Sequence, residues 1–305
     1  MQTIGKGSSM KQYTLTNGSV SATINEKGAE LLSLKKNGID YMWYADPAYW
    51  GRTSPVLFPF VGSLKNKSYR YDGQTYSMNQ HGFARDNMFT CTYESATELH
   101  FKFCDTEDTY AIYPFHFCLE IQYLLENDKL QVRWIVKNTD SKDLLFSIGA
   151  HPAFLCPWKN EGQQSEYCIR LKKNGIPLQS LTSSVIRDGL CSDEKAVLTL
   201  ENGKIAVHEH LFDDDALVLE GNQTDEVALV APDGNEYISV RFNCPVMGIW
   251  SPPGKTAPFV CIEPWYGRCD STTFDGQLED REYGNTLAPG EEFAREYSIC
   301  LSTLK

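Results

Sequence analysis

The chain has 305 residues, 42% apolar and 12% aromatic, and its 28 Lys plus Arg against 40 Asp plus Glu leave a net charge of −12. The apolar share is too high for a disordered chain, and the acidic balance excludes a general nucleic-acid binder, which needs a basic face. A small anionic substrate survives, because a few local cations suffice to hold it.

Residues 1–10, "MQTIGKGSSM", lack the apolar run of a signal peptide. They are read as an appended or disordered leader, ahead of one domain over residues 11–303. From there the dominant period is two, the signature of strands. Val20, Ala22 and Ile24 alternate with polar neighbours, and so do Leu99, Phe101 and Phe103. The segment "FHFCLEIQYLLENDKLQVRWIVKN" predicts a long hairpin. Phe115, Phe117, Leu119, Ile121, Tyr123 and Leu125 face one way, and Val132, Trp134 and Val136 resume the pattern after the turn. Ile238, Val240 and Phe242 alternate later, followed by the run from Phe293 to Leu301. Between these runs stand Asn17-Gly18, Asn37-Gly38, Asp72-Gly73, Asn174-Gly175, Asn202-Gly203 and Asp233-Gly234. Such pairs suit tight hairpins, because Asn, Asp and Gly tolerate positive φ. The one helical candidate, Phe274 to Gly284, amounts to a turn or two. The expectation is an antiparallel all-β chain with large sheets packed face to face.

No two of the ten cysteines form a C-x-x-C pair, and several sit in apolar runs. They read as free thiols acting as small hydrophobes. No stretch approaches 18 apolar residues, so no membrane span is expected. A reducing cytoplasm fits these features.

Candidate chemistry is sparse. Arg52 and Arg85 lie in aromatic, Pro/Gly-punctuated segments, where a guanidinium fork suits phosphate or carboxylate. His81 sits in "NQHGFARD" and His151 in "SIGAHPAF", where Pro152 holds the backbone extended. An imidazole in either place can work as an acid or base near neutral pH, with a purely structural role as the equal alternative. His100 and His116 read as structural. His208 and His210 are placed on one strand face, without a third ligand for a metal. Asp213, Asp214 and Asp215 precede an apolar strand, either as a solvated turn or as partners for sugar hydroxyls. Glu263 follows Val-Cys-Ile and precedes Pro264, Trp265 and Tyr266. Desolvation there raises a carboxyl pKa toward that of a useful base, and the rings offer flat faces for a sugar. A buried salt bridge between Glu263 and Arg268 is the competing reading.

Taken in order, "SVSATINEKGAELLSL", "SPVLFPFVG", "QHGFARD", "GAHPAF", "LFDDDALVL", "IEPWYG" and "TLAPGEEF" resemble the aldose 1-epimerase (galactose mutarotase-like) family. The likeness runs over nearly the whole chain. It is strongest to the LacX-type branch, with hexose-6-phosphate 1-epimerases further off. The resemblance implies a single-domain β-supersandwich with an open sugar cleft and no cofactor or metal. It implies interconversion of α and β anomers by ring opening. Glu263 matches the family's general base, His151 its general acid and His81 the second histidine near the ring oxygen. Asp214 or Asp215 matches a hydroxyl-binding carboxylate, and Trp265 joins the substrate contacts. The Asn-Arg pair of galactose mutarotases is missing from "FVGSL". Arg52 and Arg85 instead follow the hexose-6-phosphate branch, which leaves a sugar or a sugar phosphate as the small-molecule partner. A monomer or weak homodimer is expected. A non-catalytic carbohydrate-binding protein with the same cleft is the alternative, and a glycosidase lacks its second carboxylate.

Overall fold

A computed structural model describes residues 10–302. The leader expected at 1–10 therefore lies almost wholly outside the described residues. Every ladder between the named strands is antiparallel. The largest sheet has ten strands. At its centre the hairpin Phe117–Glu126 and Lys129–Asn138 lies between Glu98–Cys104 and Glu292–Leu301. The burial of Phe117–Glu126 alternates strictly, so its predicted apolar set faces the core. One contiguous cluster joins Tyr13 near the start to Leu301 near the end, with Trp134, Phe117 and Tyr237 among its largest members.

A second sheet of eight strands carries the cleft. Its order runs Leu190–Thr199, Ser180–Arg187, Leu217–Glu220, Val246–Trp250, Phe259–Tyr266, Ile148–Ala150 and Val56–Leu57, with Ala153–Leu155 also paired to Phe259–Tyr266. Four of the six predicted turns, at Asn37, Asp72, Asn174 and Asn202, place both residues at positive φ. That geometry matches the twist of the flanking strands. Asp188-Gly189 closes a further hairpin in the same way, and sequence reading did not single it out.

Three expectations need correction. The segment from Phe274 to Gly284 forms only a 3-10 turn at Leu278–Asp280. The α-helix among the described residues is Glu107–Ile112, where Thr106 and Thr109 cap each other's orphan backbone groups. His208 and His210 lie in a turn and share no strand face, because the chain must bend there before Leu217–Glu220. Finally, Cys104 and Cys118 are bridged. They are directly opposed in neighbouring strands with Cα atoms 4.1 Å apart, a juxtaposition set by ladder register that sequence spacing does not show. Cys156, Cys191, Cys244, Cys261 and Cys269 are free and buried, as expected.

Candidate active site

The strand Phe259–Tyr266 is buried at every residue. Its alternation divides it between two environments. Val260, Ile262 and Tyr266 join the main core, while Phe259, Cys261 and Trp265 pack in smaller clusters on the other face. Glu263 shares that other face and, with Trp265, lines an open cleft of about 400 Å³. Trp265 can lie flat because its neighbours are glycines. A Cβ on Gly149 or Gly248 would stand 2.6 or 2.4 Å from the indole.

His151 leaves the adjoining strand Ile148–Ala150 and brings its Nε2 to 3.3 Å from Glu263 Oε2. Trp50 stacks on the imidazole at 4.7 Å and 27°, and the Trp250 ring meets it edge-on at 5.5 Å. Trp50 is itself anchored, since its carbonyl accepts from Trp43 Nε1 at 2.9 Å. Sequence reasoning missed Trp50 and Trp250. For Trp250 the available signal was a tryptophan at a strand end, directly before Ser251-Pro252-Pro253-Gly254.

His81 reaches the same place from a loop. Its φ is +67°, unusual for a side-chain-bearing residue. A reciprocal clasp with Gly62 holds it there. His81 N–H donates to Gly62 O at 3.0 Å, and Gly62 N–H donates to His81 Nδ1 at 3.1 Å. With Nδ1 accepting, the neutral ring carries its proton on Nε2. The two imidazoles lie 5.6 Å apart, nearly perpendicular.

Burial governs the electrostatics. Desolvation drives His151 down to about 3, with the fields of Arg85 and Arg52 adding to it. Desolvation also holds His81 well below 6.5, helped by His151, Arg85 and Arg52. It lifts Glu263 well above the usual carboxylate range, and Asp215 lifts it further while the Trp265 indole pulls it back a little. Glu263 is 1% exposed, and its Oε2 has no hydrogen-bond partner. The salt bridge to Arg268 does not form. Arg268 pairs with Glu220 and Glu282 instead.

The run of three aspartates is sorted by direction. Asp213 pairs with His210 at 2.9 Å and Asp214 with Arg187 at 2.7 Å, both in solvent. Asp215 alone of the three lines the cleft. Its Oδ1 accepts from Ala216 N–H at 2.8 Å, and burial raises its pKa. The arginines are sorted too. Arg85 lines the cleft, donates from Nη2 to Gln80 O at 2.8 Å, and keeps a buried Nε without a hydrogen bond. Arg52 stands back from the cleft wall, held by Asp86 at 2.8 Å. Asp86 also lies 3.8 Å from Arg85 Nε, so one carboxylate serves both cations.

The aldose 1-epimerase family model matches residues 11–300. The chain belongs to the aldose 1-epimerase family. It is an isomerase of that type, with a general role in sugar epimerisation. A galactose mutarotase related enzyme from Lactobacillus acidophilus is 34% identical and superposes with a TM-score of 0.89, covering 96% of this chain and 98% of its own. A galactose mutarotase-like protein from Lactobacillus casei ATCC 334 is 29% identical with a TM-score of 0.85, over 96% of this chain and all of its own. The plasmid LacX protein of Lactococcus lactis subsp. lactis is 29% identical over 283 residues, spanning 90% of this chain and 94% of its own. The all-β architecture with antiparallel sheets is thus the architecture of this epimerase family. Among the described residues no helix is long and apolar enough to cross a membrane.

Proposed function

We propose that this epimerase interconverts the α and β anomers of an aldohexose or its 6-phosphate, using Glu263 and His151 as its proton-transfer pair. The observation that carries this reading is the 3.3 Å approach of His151 Nε2 to Glu263 Oε2 in the wall of an aromatic cleft. Ring opening needs a base at the C1 hydroxyl and an acid at the ring oxygen. Glu263 takes the C1 hydroxyl proton. His151 gives its proton to the ring oxygen as the C1–O bond breaks, which leaves an open-chain aldehyde. Rotation about C1–C2 turns the other carbonyl face toward the ring hydroxyl, and the reverse transfers close the ring. His81, with its proton on Nε2, supports the ring oxygen. Asp215 accepts from sugar hydroxyls, and Trp265 receives an apolar sugar face.

The pair carries a single proton throughout. Proton transfer from Glu263 to His151 across 3.3 Å first gives the imidazolium–carboxylate form, and opening returns the pair to a neutral imidazole and a protonated carboxyl. A dry cleft favours that neutral combination, in line with the opposite shifts of the two groups. The pH dependence follows. A second proton binds only as His151 is titrated, at about 3, and the single proton is lost only as Glu263 is titrated, well above 4.5. The exchange rate, read by NMR exchange spectroscopy, should therefore stay level on the acid side until pH approaches about 3, and fall as pH rises through the raised Glu263 value. A loss of rate below about pH 6 that follows protonation of an ordinary imidazole would count against the assignment.

Arg85 bears on the substrate. Its cleft-lining guanidinium suits a 6-phosphate, and Asp86 already balances part of its charge. If the phosphorylated sugar is the substrate, Arg85→Ala should raise its KM about tenfold while leaving the KM of the free hexose within about twofold, because one charge-assisted hydrogen bond is worth about 1.5–3 kcal/mol. Equal effects on both sugars would remove phosphate from the proposal.

A further inference from the structure

Directly behind the cleft wall lies a third chemically distinct group that the proton-transfer scheme leaves unused. Cys261 lies two residues before Glu263 on the same strand face and pairs across the ladder with Ala153. His151, two residues before Ala153, thereby comes over the same spot. His151, Cys261 and Glu263 are all buried, and their donor atoms lie within 4.8 Å of one another. No other His/Cys/Asp/Glu set among the described residues has this arrangement.

We propose that His151, Cys261 and Glu263 form a capture site for one borderline-soft divalent cation of the zinc class, and that its occupancy switches off the proton-transfer pair. The donor set of imidazole nitrogen, thiolate sulfur and carboxylate oxygen is a zinc set. Magnesium and calcium prefer oxygen alone. Zinc bonds of about 2.0–2.3 Å place tetrahedral ligands about 3.3–3.7 Å apart. His151 Nε2 and Glu263 Oε2 already stand at 3.3 Å, and a movement of about 1 Å closes the thiol onto them. Glu263 Oε2 has no hydrogen bond to surrender. His151 and Glu263 both reach the cleft, so the fourth position opens toward water or a sugar hydroxyl. Binding displaces the Cys261 thiol proton and the Glu263 carboxyl proton to solvent. The metal then occupies the lone pairs that Glu263 and His151 use for proton transfer, so exchange stops.

The site stands on the placement of three donors, whatever their roles in the reaction, and the binding readout is separate from activity. Co2+ added to the full chain should give a near-ultraviolet thiolate-to-cobalt charge-transfer band that saturates at one equivalent. Zn2+ should displace the cobalt, cut anomer exchange at least tenfold and release it again on chelation. Cys261→Ala should abolish the band and weaken Zn2+ binding by about a hundredfold. His151→Gln, a change at the cleft wall, should weaken it to a similar degree, which covers the case in which the Cys261 variant fails to fold. A wild-type chain without the band, or a band unchanged in Cys261→Ala, overturns the site. In either case the proton-transfer reading stands or falls by its own pH profile.

Discussion

Glu263→Gln is expected to slow anomer exchange by about 10³-fold, the size of effect that a positioned acid or base supplies. Glutamine keeps the shape of the side chain and removes its capacity to cycle a proton. His151→Asn should cost a similar factor. The double variant should be little worse than the poorer single, because groups that act as one unit give non-additive losses. Full additivity would show that the two residues act separately, and an active Glu263→Gln protein would end the assignment. The same variant should be more stable than the wild type. Glu263 is buried with its pKa raised well above 4.5, and among the described residues no lysine or arginine pairs with it, its neighbour His151 being held neutral by its own burial. The folded state therefore binds the carboxyl proton more tightly than the unfolded state does. That stability is fully present below the unfolded pKa and is lost as pH rises through the folded one. Across that window the thermal midpoint of Glu263→Gln should pull progressively ahead of the wild type. A gap that does not change with pH would mean that burial does not act on this carboxyl.

Gly62→Ala is expected to cost stability heavily. Gly62 has φ +74°, and a Cβ placed there would stand 2.5 Å from Cys269 Cβ and 2.7 Å from its Cα. The left-handed backbone costs an L-residue about 1–2 kcal/mol, and overpacking adds about 1–3 kcal/mol. The sum is a loss of about 2–5 kcal/mol in denaturant unfolding. The cleft should feel it as well, since Gly62 N–H is the donor that fixes His81 Nδ1. Gly18→Ala is the matched comparison. Gly18 has φ +94° and nothing within 4 Å of the added methyl, so only the backbone cost applies. Equal losses at the two positions would remove the argument that contact with Cys269 decides the outcome.

Much of the fold was legible because its signals are local. Phe117 to Leu125 alternate in the sequence and alternate in burial, since side-chain direction in a strand depends only on parity. Asn37-Gly38 and Asn174-Gly175 turn where they were expected to turn, since positive φ is a property of the two residues themselves. The helix Glu107–Ile112 escaped notice because a stretch of so few residues gives almost no periodic signal. Its stability comes from the cap at Thr106.

The site was legible in part. Glu263 stood out as a carboxylate in an apolar strand, and His151 as an imidazole before a proline. Neither pattern revealed that they face each other at 3.3 Å, nor that Arg268 belongs to Glu220 and Glu282. Three neighbouring aspartates looked alike until the turn before Leu217–Glu220 aimed Asp215 into the cleft and Asp214 at Arg187. Trp50, missed entirely, acts through a ring stacked on His151, about a hundred residues away in the chain. By itself the sequence determined the all-β character, the main hairpin, most of the turns and the family. These follow from side-chain parity and turn chemistry, which act over a few residues. Only the tertiary structure decided which aspartate and which arginine meet the cleft, which cysteines bridge, and that Cys261 stands beside the proton-transfer pair. Those outcomes depend on ladder register between strands far apart in sequence, where a shift of one residue would turn every side chain to the opposite face.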